Sequence, residues 1–191
     1  MDLRIEKTRR SIASAFLELR AQKPLEKITV KELCQKALIN KSTFYDHYDD
    51  LYALSDALEE AAVAGILERL PHPEYVFLNP AVFIRDLTLG HLAQQEQIRI
   101  LFSGSRQGNF ISRLKAGLEE LVWREHPEYR DDPVKRVLVS FLIYGSYYAY
   151  LDNKDEVDLA RLWTVLGAVS REIQQMEINP DRASFIVGRD L

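Results

Sequence analysis

The sequence predicts an all-α protein: an N-terminal three-helix, helix-turn-helix head followed by a C-terminal helical bundle. Three observations predict it. Apolar residues recur at three- and four-residue steps along most of the 191 residues, which hold only seven prolines and eight glycines. Two helix-start signals, at Thr29 and Asn40, stand eleven residues apart. Near the end, Leu159, Leu162, Leu166, Val169, Ile173 and Met176 alternate steps of three and four, the spacing of a heptad seam.

Ile12, Phe16 and Leu19 give a first helix from about Arg4 to Gln22, stopped near Pro24. The second, at about 30–37, opens with a capping box. Thr29 caps the third amide and Glu32 reaches back to the Thr29 amide, while Ile28 and Leu33 stand at the spacing of a hydrophobic staple. The third, at about 41–47, repeats the device with Asn40 as cap and Ile39 and Phe44 as staple. Asp49 or Asp50 caps a fourth, connecting helix at 50–69, which carries Leu51, Leu54, Leu58, Ala61, Ala62 and Ile66 and ends before Pro71 and Pro73. Residues 71–80 read as a loop. Helices at about 80–95, 96–104 and 107–126 follow, with breaks at 104–108 and 127–133. Two long helices close the bundle, at about 133–152 and 156–177. The earlier one carries Gly145, Ser146 and Ala149, small enough to let another helix approach. No internal repeat is expected. The expected domains are 1–48 for the head and 49–177 for the bundle, with 178–191 as a tail.

Residues 1–48 hold ten Lys/Arg against six Asp/Glu, and the remainder fifteen against twenty-three. A basic head on an acidic body suits a phosphate-binding end. Cys34 is the sole cysteine, so no intrachain disulfide can form, and its place beside Leu33 and Ala37 reads as a half-buried structural thiol. The charged N-terminal stretch lacks the apolar core of a signal peptide, and no uncharged run of about 18 apolar residues occurs. A cytoplasmic protein with no membrane partner is the expectation. The four histidines show no metal-ligand spacing, and neither a phosphate-binding glycine loop nor a nucleophile elbow is present. No catalytic residue, metal or cofactor is expected, and an enzyme is the remote reading.

The segment from Thr29 to Tyr48 resembles the DNA-binding head of TetR/AcrR-type bacterial transcriptional regulators. That family's pattern is Thr-x-x-x-Ile-x-x-x-Ala-Gly-Val-Ser-x-x-Thr-Phe-Tyr-x-His-Phe. Thr29, Leu33, Ala37, Ile39, Asn40, Thr43, Phe44, Tyr45, His47 and Tyr48 fall in step with it. The resemblance covers the first 60 residues or so. Leu38 departs from it, standing where the family prefers a turn glycine, so a non-glycine residue is expected to need positive φ there. Asp49-Asp50-Leu51 also departs, since the family often places a phosphate-holding lysine here. The C-terminal region resembles, more weakly, members akin to a coactivator of dihydroxyacetone kinase genes.

If Phe44 and Tyr48 face the core, helical geometry turns Ser42, Thr43, Tyr45 and Asp46 outward. Lys41 stands at the helix start, where an ammonium meets phosphate. The resemblance implies that Thr43 and Tyr45 touch bases or phosphate and that His47 touches phosphate. Asp46 either accepts from a cytosine amine or is tolerated at the groove edge. Thr29 and Lys31 are further candidates for phosphate, with Arg4, Lys7 and Arg10 behind them. Phe83, Leu87, His91, Phe102, Phe110, Leu114 and Tyr144 are candidates for a ligand pocket, and core residues otherwise. Gly145, Ala149, Leu162, Leu166 and Ile173 are the expected dimer interface. The leading reading is a ligand-responsive repressor binding a palindromic double-stranded DNA operator as a homodimer, with an unidentified small-molecule effector. The alternative is a TetR-like coactivator or adaptor acting through a partner protein.

Overall fold

The computed structural model describes residues 3–175, and every regular element among them is helical. These residues fall into two compact units, one within Met1–Arg69 and Gly90–Leu114, the other within Leu70–Leu89 and Lys115–Leu191.

The first unit begins with α1 (Leu3–Arg20), which buries Ile12, Ala15, Phe16 and Leu19. A single 3-10 turn at Leu25–Lys27 leads to α2 (Val30–Ala37). Thr29 starts α2 as expected, its hydroxyl accepting from the Glu32 amide at 3.2 Å. The other half of the box is replaced: the Glu32 carboxylate pairs with Lys23 at 2.6 Å. Three residues, Leu38 to Asn40, then turn the chain into α3 (Lys41–Tyr45). Leu38 adopts φ 57° and ψ 43°, and it is the one non-glycine residue with positive φ among those described. Left-handed backbone costs a β-carbon-bearing residue about 1–2 kcal/mol. The turn is held by Ile39 N–H donating to the Cys34 carbonyl at 3.0 Å and by Ser11 Oγ donating to the Ala37 carbonyl at 2.8 Å. Asn40 has the extended backbone of a cap, but its side chain makes no capping hydrogen bond, contrary to expectation. The start of α3 is fixed instead by the turn before it and by Phe44, which is wholly buried.

Asp50 caps α4 (Leu51–Leu67), accepting from the Ala53 amide at 2.7 Å. On the buried face of α4, among Leu54, Ala62, Val63 and Ile66, sits Glu59 with 0% exposure. Its carboxylate accepts from Arg106 Nε at 2.7 Å, Asn109 Nδ2 at 3.1 Å, Arg113 Nε at 3.2 Å and Ser55 Oγ at 2.9 Å. Asp56 joins both arginines from the rim. Burial pushes the Glu59 carboxyl up, yet these hydrogen bonds and the Arg106 charge outweigh it and hold the group below its ordinary range. A second polar strut comes from Arg20, at the end of α1. Its guanidinium donates to the carbonyls of Ile100 and Leu101 at 3.2 Å and to Ser103 Oγ at 2.9 Å. These acceptors close the end of α7 (Gln95–Leu101), where a cation suits the helix dipole.

In the second unit, part of the expected loop is one helical turn, α5 (Tyr75–Leu78). The helix α6 (Pro80–Ala93) starts on Pro80, whose missing amide is no loss at a first position. The helix α8 (Asn109–Glu125) carries the chain back from the first unit. The last two helices, α9 (Pro133–Asn153) and α10 (Leu159–Gln175), pack on each other around Tyr150, Leu162 and Leu166. Gly167 lies so close to Ala81 that an added β-carbon would stand 2.4 Å from the alanine Cα and Cβ. His-Pro-Glu-Tyr occurs at 72–75 and again at 126–129. Both copies fold alike, His Nδ1 lying 3.1 and 2.9 Å from the Glu carboxylate and the imidazole stacked on Tyr at 4.5 and 4.7 Å. Residues 176–191, which include Met176 of the expected seam and the expected tail, lie outside the described residues.

Candidate nucleic-acid interface

The candidate surface is built on α2, its turn and α3. Leu33, Cys34, Ala37 and Phe44 face inward and are buried. That inward set fixes what α3 presents outward. Lys41, Ser42, Tyr45 and Asp46 are exposed, Thr43 and His47 half-buried. Tyr45 is 54% exposed, and its ring meets the buried Phe44 edge-on at 5.3 Å. That contact steadies the ring while more than half of the residue stays exposed. Tyr48 is half-buried, its ring 6.0 Å from that of Phe44. Thr29 and Lys31 are exposed at the start of α2, with the Thr29 hydroxyl already accepting a helix amide. On α1, Arg10 pairs with Glu6.

Burial pushes the Cys34 thiol up, against the opposing charge of Lys41, so it stays protonated. The acidic pair after α3 divides its roles. Asp50 caps α4, and Asp49 is exposed. Leu51, the last residue of the stretch in which the resemblance would put a lysine, is buried.

The ligand-pocket candidates fall in both units. His91, Phe102, Phe110 and Leu114 lie in the first, Phe83, Leu87 and Tyr144 in the second. Within the first, Phe110 meets both His91 and Phe102 edge-on at 5.2 Å, and Phe102, Phe110 and Leu114 are buried. Phe83 is buried, Leu87 half-buried and Tyr144 exposed.

The dimer candidates separate as well. Leu162 and Leu166, expected on a seam between subunits, are buried inside the protomer against Tyr150, with Ala149 packed beside them. Gly145 is exposed and Ile173 half-buried. The apolar residues that do face outward are Val137, Phe141, Tyr144, Tyr148 and Leu151 on α9, with Val165 and Val169 on α10. Those on α9 run at steps of four, three, four and three.

Sequence reasoning missed the Glu59 cluster. A signal was present: Glu59 stands four residues after Ser55 on the same stripe as Leu51, Leu54, Ala62 and Ile66, a carboxylate where the helix needs an apolar side chain. Among the described residues no group of three or more His, Cys, Asp or Glu could hold a metal ion, and no helix is long and apolar enough to cross a membrane.

No protein-family model matches the chain. It is 32% identical over 71 residues to YxbF, an uncharacterized HTH-type transcriptional regulator of Bacillus subtilis (strain 168). The match takes in 37% of this chain and 19% of that protein, so the chain spans about a fifth of its relative's length. The chain is therefore an all-α protein distantly and partially related to an HTH-type transcriptional regulator.

Proposed function

We propose that this chain is a TetR-like, ligand-responsive transcriptional repressor that acts in the cytoplasm and binds a palindromic operator as a homodimer. One observation carries the reading: α3 is pinned by a wholly buried Phe44 and turns Lys41, Ser42, Tyr45 and Asp46 to solvent. That is the arrangement of a recognition helix, with a cation for phosphate and polar and aromatic groups for base edges. The relation to an HTH-type regulator supports it. Residues 1–48 then form the DNA-reading head, and 49–177 carry the ligand and dimer functions.

One short helix reads few bases. Two, related by a two-fold axis, read half-sites about one helical turn apart and multiply specificity. The outward stripe on α9, with Val165 and Val169 of α10, is the seam that pairs the subunits, in place of Leu162 and Leu166. An effector that prefers one arrangement of the paired heads shifts the population away from the DNA-competent form.

The test is selection of a randomised duplex library by the full chain, followed by binding of the enriched duplex across a salt series. The expected result is a palindromic sequence whose affinity falls steeply as salt rises, because phosphate contacts release counterions. No enrichment, with binding indifferent to salt, overturns the reading.

A further inference from the structure

We infer that Leu38 and Asn40, on the turn between α2 and α3, together read an A·T base pair from its major-groove edge in each half-site. This rests on the DNA-reading role proposed above and names a specificity element within it.

Leu38 carries two penalties at once. Its backbone is left-handed, at φ 57°, and the residue is 91% exposed, more than any other large apolar residue described. A glycine or asparagine would hold the same turn with less strain and no exposed hydrocarbon. Nothing within the described chain covers the isobutyl group, so the fold gives no reason for it.

Asn40 is anomalous in the opposite sense. It occupies the position from which an asparagine oxygen ordinarily accepts a helix amide, and it makes no such bond. The backbone alone closes the first turn, Phe44 N–H donating to the Asn40 carbonyl at 3.2 Å. The carboxamide is exposed, with its donor and its acceptor uncommitted to the helix start. Between the two lies Ile39, half-buried. Leu38 and Asn40, both exposed, thus flank the half-buried Ile39 within three consecutive residues of the turn.

An apolar knob beside a free carboxamide matches one base pair better than the others. Adenine offers an N7 acceptor and an N6 donor, which a carboxamide meets with two hydrogen bonds, and thymine offers the C5 methyl, the apolar group of the major groove. A G·C pair presents guanine's two acceptors and cytosine's amine on different bases, so no single base meets both groups of the carboxamide, and with no methyl it leaves the Leu38 side chain without a partner. Lys41, exposed next in the chain, supplies positive charge toward the flanking phosphates.

Chemical deletion in the DNA tests this. In the duplex enriched by the full chain, each thymine is replaced singly by deoxyuridine, which lacks the methyl. Each adenine is replaced singly by 7-deazaadenine, which lacks the N7 acceptor. Binding is measured for the wild type, Leu38→Gly and Asn40→Ser, with melting curves as the check on folding. Leu38→Gly relieves the strained turn, and Asn40→Ser retains a side-chain oxygen at the helix start, so both variants fold. The wild type should lose affinity roughly fourfold per half-site at one thymine and about tenfold at the adenine of the same or an adjacent pair. Leu38→Gly should be blind to the first change and Asn40→Ser to the second, both keeping the wild-type salt slope. An enriched sequence whose substitution profile is the same in all three proteins overturns this inference alone. Failure to enrich any sequence overturns the DNA-reading role and this inference with it.

Discussion

Glu59 illustrates how one buried charge sets the chemistry of its surroundings. Its four hydrogen-bond partners come from α4, α8 and the turn between α7 and α8. Removing the charge while keeping the shape, as in Glu59→Gln, leaves Arg106 and Arg113 facing a neutral amide and should cost about 3–5 kcal/mol. Urea unfolding of the variant checks this. The linkage to pH has a definite sign. The folded carboxyl titrates below its unfolded value, so the stabilisation is fully present above the unfolded pKa of about 4.3. It is lost as pH falls from there through the folded pKa, because the unfolded chain takes up the proton first. The wild type should therefore lose stability below about pH 4, while Glu59→Gln shows a flatter acid limb. Two neighbours on α3 should separate recognition from folding. Tyr45→Ala should weaken operator binding by about 1–3 kcal/mol per half-site with little change in melting. Phe44→Ala should destabilise the head by about 3–5 kcal/mol and abolish specific and non-specific binding alike. Equal behaviour of the two in melting and binding would refute this division.

Helix starts were legible in the sequence because capping is local. Thr29, Asp50 and Pro80 each mark a start within three residues of the group they serve, and all three mark one in the structure. The strain at Leu38 was legible for the same reason. What the helices pack against was not. Periodicity located the apolar faces of α9 and α10 without saying what covers them, and Leu162 and Leu166 prove to be covered by the protomer itself. The partners of Glu59 lie 47 to 54 residues away for the arginines, beyond any local signal. The surface of α3 was legible as an outward polar face, since a buried Phe44 dictates which neighbours point away. The contact of α6 with α10 was hidden as well, because it depends on Gly167 meeting Ala81 across the second unit. Gly167→Ala would force the two backbones apart and should destabilise that unit by at least about 1–3 kcal/mol. Gly145→Ala, whose new β-carbon meets only Phe141 Cε1 at 4.0 Å, should instead raise the protomer's stability by about 0.5–1 kcal/mol, because alanine is the better residue inside a helix. Thermal melts of the two variants side by side decide the matter.

At the scale of the whole molecule, the proposed dimer makes the outer and inner faces of α9 and α10 distinguishable by mutation. Phe141, 60% exposed, lies on the outer stripe, whereas Leu166 lies in the core. Phe141→Asp should yield a folded protein of 22.1 kDa that has lost palindrome binding. Leu166→Asp should instead unfold the second unit, since it places a charge among Tyr150, Leu162 and Ile84. Light scattering with circular dichroism separates the two outcomes, and a wild type that is monomeric at micromolar concentration would refute the seam. The discontinuity of the first unit has a consequence for how the protein is made. A chain emerges from the ribosome in order, and Arg106 and Arg113 follow Glu59 by 47 and 54 residues. At about 5–20 residues per second, that interval lasts roughly 2–11 seconds. Throughout it α4 lacks its arginine counter-charges, and the Gly90 backbone that lies against Ile66 is made only part-way through. The α2–α3 surface therefore exists in sequence well before the unit that carries it can close. A chain truncated before residue 114 should therefore be more sensitive to limited proteolysis than the full chain, because its α4 lacks Arg106 or Arg113 or both.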